Sequence, residues 1–403
     1  MSIFVAGLVA RCLFLVSCFL VPCYTPPARY DLILAPGSRF LVPRMETGVS
    51  YFSARTLRQV RADLEDILAH HCTYVVHCLT EADLLFYRKA MAEIFTATRQ
   101  AGLEVWVDPW AVAALFGGES LSRFLVDHSE ALQVLSDGRR APAACPNHPE
   151  TRAFLRSWVE AAAQFGGQVL FWDEPHFYHG PFHRDFSGAW ACLCDHCRDR
   201  FRAAHGRTLP PEMDDEVRAF REASLIDLLA ELAREGKRLG MRNALCLIPV
   251  DLEGAGLREE ARRLAETMAK LAGPAAPRQL LDIGVRDWDA AASIPDLDIF
   301  GCDPYWLLFG AQPEPFVRAF TQRAVEVSKH HGRDTQVWVQ AFSVPEGREE
   351  EIRVGLRTAA SLGATHLAAW SYEATASMDI RCARPELVWR ILGEAFGELR
   401  GTA

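Results

Sequence analysis

From Gly48 onward the chain alternates between short apolar runs and longer amphipathic stretches, the pattern of parallel strands wound by helices. Residues 48–52 predict the first strand. The stretch after it places Leu57, Val60, Leu64, Ile67 and Leu68 at helical spacing, with Arg58, Arg61, Asp63 and Glu65 between them. Strands two to eight are expected at 73–77, 103–107, 168–172, 244–248, 298–301, 336–339 and 365–370. A helix over 86–100 stops at Gly102, a residue free to take the left-handed turn that ends helices, and 385–399 supplies the last helix. Eight strands and eight helices favour a (β/α)₈ TIM barrel over an open doubly wound sheet. The open sheet has fewer strands and often a glycine-rich phosphate loop after the first, where this chain has Phe52-Ser53-Ala54-Arg55.

The first 44 residues break the pattern. From Ile3 to Cys23 they are almost wholly apolar, and a Pro-rich stretch follows through Pro27. About twenty apolar residues can span a bilayer, so a secretory signal or membrane anchor is one expectation. Leu15-Val16-Ser17-Cys18 resembles a weak lipoprotein cleavage box. Against both, no Lys or Arg precedes the run, and Arg11 sits in its middle, where burial is costly. The competing expectation is that the protein starts at Met45 and is cytoplasmic; otherwise it is secreted or membrane-anchored. The domain expected is residues 45–403, a single barrel with a metal loop around 190–205.

Composition narrows the partners. Half of the 403 residues are hydrophobic, as in ordinary globular proteins, and a net charge of −9 without a basic run argues against nucleic acid. In a (β/α)₈ barrel the chemistry sits at the C-terminal strand ends. Strand three ends in Asp108-Pro109-Trp110 and strand four in Trp172-Asp173-Glu174-Pro175-His176. Strand six leads to Asp303-Pro304-Tyr305-Trp306, strand seven to Trp338-Val339-Gln340, and strand eight to Trp370-Ser371-Tyr372-Glu373. Sugar rings stack their C–H faces on aromatics, while cleavage of a glycosidic bond calls for two carboxyl groups, so a carbohydrate ligand is expected here. Glu174, after an apolar strand and beside Trp172, is the expected proton donor. Asp173, Asp303 and Glu373 are the candidates for the second carboxyl group. Asp108, Trp110, Trp172, His176, Tyr305, Trp306, Trp338, Gln340, Trp370 and Tyr372 are the expected substrate-binding residues.

The twelve cysteines are not spaced as a disulfide framework. Cys192-Leu193-Cys194-Asp195-His196-Cys197 puts three thiols within six residues, which cannot all face a core but can face one ion. A structural zinc site takes four ligands. Cys145, in the loop before the helix leading into strand four, is the expected fourth, with His196 in reserve.

Taken together, Cys145-Pro146-Asn147-His148-Pro149, a helix, strand four with its Glu, then Cys-x-Cys-x₂-Cys and Arg198-Asp199-Arg200-Phe201-Arg202 resemble the family 42 glycoside hydrolases, the zinc-containing β-galactosidases. The resemblance covers residues 145–205. It implies a structural Zn²⁺ on Cys145, Cys192, Cys194 and Cys197, with Glu174 as acid/base. Two departures stand out: Asp173 replaces the Asn expected before that Glu, and Gln340 stands where the family's nucleophilic Glu ends strand seven. The leading expectation is therefore a glycoside hydrolase with an unusual second carboxylate. The alternative is a carbohydrate-binding barrel that has lost its nucleophile. Catalytic zinc chemistry is a third, disfavoured because four thiolates leave no open position for water.

Overall fold

The computed structural model describes residues 45–402 except 184, 186 and 273–281. The expectations for the first 44 residues lie outside the described residues. Eight parallel strands close into a barrel in the order β1, β10, β9, β8, β7, β6, β3, β2. They are β1 (Glu46–Tyr51), β2 (Tyr74–Cys78), β3 (Glu104–Asp108), β6 (Val169–Asp173), β7 (Arg242–Leu247), β8 (Ile299–Cys302), β9 (Asp334–Gln340) and β10 (His366–Trp370). Each expected strand is present, displaced by a residue or two, and the barrel is the fold expected from the alternation.

The barrel interior is filled by side chains rather than left as a channel. Tyr74, Val76, Trp106, Val169, Phe171, Ala244, Cys246, Ile299, Trp338 and Ala368 form this inner layer, with Tyr305 and Trp370 packed on it. Tyr74 stacks on Trp106 at 4.4 Å between centroids, and its hydroxyl donates across the barrel to the Leu367 carbonyl. Gly48 makes room for that ring: a Cβ there would lie 2.2 Å from the Tyr74 ring. The alternate residues of each strand face outward onto the helices, the arrangement that period-two patterning demands.

The surrounding helices are amphipathic, but they are not one per strand. The helix expected over 86–100 is present as α3 (Arg88–Gln100), and a further short helix, α2 (Glu81–Phe86), precedes it. The capping box of Thr80 and Asp83 starts α2 upstream of the expected boundary. A two-stranded antiparallel sheet, β4 (Leu132–Val134) with β5 (Arg140–Ala144), was not anticipated. Its strands are too short for a periodic signal, although Asp137-Gly138, with Gly138 at φ +87°, is a turn signal. Among the described residues no helix is long and apolar enough to cross a membrane.

Candidate active site

Two loops at the C-terminal face carry most of the acids. The loop after β3 is anchored by Glu81, a buried residue of α2. Its carboxylate accepts from the Ala113 and Phe124 amides at 2.9 and 2.8 Å and from the Ser122 hydroxyl at 2.6 Å. This clamp folds the loop back so that Gly117 meets the end of β6, its amide donating to the Asp173 carbonyl at 3.0 Å. A Cβ on Gly117 would stand 2.5 Å from Asp173 Oδ2 and 3.2 Å from Glu174 Oε2. The loop backbone is thus the wall against which both carboxyl groups rest. Glu174 itself sits at φ +41°, in the left-handed region that side chains avoid. Such outliers persist where the surroundings impose them, often at functional sites.

The structure brings Asp108, Asp173, Glu174 and Asp303 together, and adds Glu119, which sequence reasoning missed. Asp108 has Glu119 and Glu174 as charged neighbours, Asp173 has Asp108, Glu174 and Glu119, and Asp303 has Glu174 and Asp173. Burial first, and then these like charges, pushes Asp108, Asp173 and Asp303 well above the usual carboxylate range. The Glu174 carboxyl group acts directly on Asp303 and helps to raise it. Asp108 accepts from the Cys78 thiol at 3.4 Å through one oxygen, while its other oxygen and Oδ1 of Asp303 are buried without a partner. His176 binds the Glu174 carbonyl through Nδ1 at 2.6 Å, and burial holds its pKa down, so a neutral ring lies beside the acids.

These raised groups fix a pH dependence. A group whose pKa is higher in the folded than in the unfolded chain adds stability below its unfolded pKa and loses it as pH rises through the folded pKa. Asp108→Asn is therefore expected to gain in thermal midpoint over the wild type as pH is raised from about 5 to about 8. Unfolding curves across that range check it, and a gain that shrinks with rising pH refutes the assignment.

Phe52, Trp110 and Trp370 line the rim as a half-buried aromatic group. Phe52 stacks on Trp110 at 4.7 Å and on Trp370 at 5.4 Å. The Trp110 indole N–H donates to Glu119 at 3.1 Å. Gly118 lies so close to that indole that a Cβ would overlap it, at 1.6 Å. Tyr305 is half-buried beside Phe342.

Several expected ligand contacts are corrected. Trp172 points outward into the core against Phe116 and Trp158, donating to Asn243. Trp306 is fully buried, with its N–H on Glu351. Tyr372 packs between Tyr51 and Trp389. Trp338 lies inside the barrel beside Phe171 rather than on the rim. Glu373 does not join the acids: its charged neighbours are Asp63 and Asp66 of α1 (Leu57–Ala69). Gln340 is fully buried and both ends of its amide are spent on backbone, accepting from the Leu307 amide at 3.1 Å and donating to the Phe342 carbonyl at 3.0 Å. Alternation along a strand tells which residues share a face, but not which of two faces a tryptophan at its end will choose. Gln340→Ala is accordingly expected to cost about 1–3 kcal/mol of stability, as buried backbone groups lose their partners. Chemical denaturation measures this, and an unchanged midpoint contradicts it.

The second feature of this face is a buried cluster of Cys145, Cys192, Cys194 and Cys197. The Cys145 sulfur is 3.4 Å from that of Cys197 and 3.4 Å from that of Cys194, and all four lie within 4.8 Å of one another. Four sulfurs about 2.3 Å from a tetrahedral ion would stand at comparable separations. No disulfide uses them. Amides of Val134 and Asn147 and the Asn147 side chain donate to the sulfurs, as thiolate ligands require. The cluster could therefore hold a metal ion. His196 is not part of it; its ring meets His148 edge to face at 4.5 Å. The cluster ties the β4–β5 hairpin to the loop after β6, because Leu193 also pairs with Val134 and the Cys145 amide with the Ala131 carbonyl.

The comparisons bear on the fold. The chain is similar to a β-galactosidase from Bacillus circulans sp. alkalophilus, with a TM-score of 0.60 and 13% identity over 89% of this chain. It spans only 56% of that protein. An endo-1,4-β-mannanase from Rhizomucor miehei matches with a TM-score of 0.55 and 10% identity, over 89% of this chain and 96% of its own. The PgaB glycoside hydrolase domain from Bordetella bronchiseptica matches with a TM-score of 0.51 and 13% identity, over 87% and 99%. The chain has the (β/α)₈ architecture found in glycoside hydrolases. No protein-family model matches it, and no curated protein does.

Proposed function

We propose that the protein is a carbohydrate-active enzyme that cleaves glycosidic bonds, with Glu174 and Asp303 as its working pair and a structural zinc on Cys145, Cys192, Cys194 and Cys197. The observation that carries this reading is the close pairing of Glu174 with Asp303 at the mouth of a barrel rimmed by Phe52, Trp110 and Trp370. Glu174 is the less buried partner; Asp303 is 2% exposed. Glu174 donates a proton to the departing oxygen as the C1–O bond breaks. Asp303, as the carboxylate, forms the new bond to C1. Water then attacks C1 and loses its proton to Glu174, which frees Asp303 as a carboxylate. Asp303 bonds to C1 in the first step and water displaces it in the second, so the reading predicts retention. Support for kinship with family 42 remains the cysteine spacing; Gln340, bound to backbone at both ends, argues for a different second acid.

The wall at Gly117 gives a test. Gly117→Ala pushes a methyl group onto Asp173 and Glu174 and should lower turnover by one to two orders of magnitude, with a stability cost of about 1–3 kcal/mol. Turnover equal to wild type on a panel of aryl glycosides and oligosaccharides argues against that wall. The second reading, a binding barrel without turnover, draws its support from the same Gln340. It predicts that wild type and Glu174→Gln bind the same oligosaccharide equally and that neither cleaves it.

A further inference from the structure

The acids at the barrel mouth outnumber what cleavage needs. Two carboxyl groups suffice for it, yet Asp108, Asp173 and Glu119 surround the Glu174–Asp303 pair. No Lys or Arg stands among the charged groups that act on Asp108, Asp173 or Asp303, and His176 is neutral. A neutral sugar offers these crowded acids no opposite charge. A compact metal ion is a poor fit as well. Among the described residues, only the four cysteines and the set Asp289, His330 and His331 bring three or more ligand atoms to one point. The mouth acids are not among those sets.

Two buried oxygens point the same way. Asp108 is fully buried and Asp303 nearly so, and Oδ1 of each has no hydrogen-bond partner. Each is an acceptor that a donor entering the mouth would satisfy. A sugar hydroxyl brings one donor, whereas an ammonium group brings three donors and a positive charge. Trp110, hydrogen-bonded to Glu119 and stacked on Phe52, adds an aromatic face beside the acids, which attracts both a sugar ring and a cation.

We propose that this mouth recognises a sugar carrying a free amino group, its ammonium seated among Asp108, Asp173 and Glu119. The proposal rests on the carbohydrate reading above and names the substrate class. It leaves Glu174 and Asp303 free for bond cleavage and gives the acids around them a binding task.

Calorimetric titration of the full chain tests it, using β-1,4-linked trisaccharides of glucosamine, N-acetylglucosamine and glucose at a pH where the amine is protonated. The glucosamine trisaccharide should bind at least tenfold more tightly than the other two, and the preference should shrink as salt is added. Glu119→Gln, at the exposed rim where folding is not at risk, should cut the preference several-fold, and Asp108→Asn should do so more strongly. Equal or tighter binding of the acetylated or glucose trisaccharide overturns the amino-sugar assignment while leaving the carbohydrate reading intact. A preference that survives both substitutions also overturns it. Failure of all three sugars to bind overturns the carbohydrate reading itself.

Discussion

On the proposed zinc reading, Cys194→Ser is expected to abolish metal binding and to lower the thermal midpoint by roughly 5–15 °C, the shift that a loss of several kcal/mol produces in a domain of this size. Three sulfurs and a hydroxyl bind zinc far less well than four thiolates. The loss is larger than that of a single buried side chain because of what the cluster joins. Cys145 closes the β4–β5 hairpin, Cys192 accepts from Val134, and Cys194 and Cys197 lie at the start of the helix Asp195–His205. Asn147 links the cluster onward to Ser224 in the helix Asp215–Arg238. Without the ion, four buried sulfurs crowd within 4.8 Å of one another and the donors around them have no full thiolate to meet. Elemental analysis of purified wild type should find one zinc per chain, and a chelator should reproduce the effect of the substitution. A metal-free wild type as stable as the zinc-loaded protein removes the structural-metal reading. The barrel strands, held by their own ladder, should survive the loss, so circular dichroism should keep its helical signal at low temperature.

The barrel was legible because burial on both faces forces apolar runs such as Tyr74-Val75-Val76 and Leu245-Cys246-Leu247, which cannot be confused with the charged helices between them. The cysteine cluster was legible because three thiols at that spacing have few other uses. The site was harder to read. Asp108, Asp173, Glu174 and Asp303 were placed at the mouth by their position after strands, and they do gather there. Glu119 was missed because it lies eleven residues beyond the end of β3 in a loop whose path depends on the Glu81 clamp. Nothing periodic marks a buried glutamate that binds three donors. Glu373 failed for the opposite reason. It follows its strand closely, but a turn with Glu373 at φ +50° and Ala374 at φ +51° carries it out towards Asp63 and Asp66. Chain position alone therefore locates an acid at the correct face, while loop conformation decides which way it looks.

Glu174→Gln and Asp303→Asn should each lower turnover by at least two to four orders of magnitude, the range lost with a general acid or base, and Asp303→Asn by more if the covalent intermediate is formed there. The two effects should not add. Both residues serve the same bond cleavage, so the double variant should be little worse than the poorer single one. Each amide is nearly the size of the acid it replaces, so sugar affinity should change far less than turnover. Glu373→Ala, whose neighbours are Asp63 and Asp66, should leave turnover within about threefold. Azide separates the two roles. Added to Glu174→Ala it should restore cleavage and give a glycosyl azide of retained configuration, because the covalent intermediate on Asp303 still forms and is then attacked. Added to Asp303→Ala it should give the inverted azide by direct attack at C1. The reverse pair of outcomes exchanges the roles of the two residues. A wild type that binds oligosaccharide but cleaves none, with Glu174→Gln binding it equally well, establishes the barrel as a binding protein.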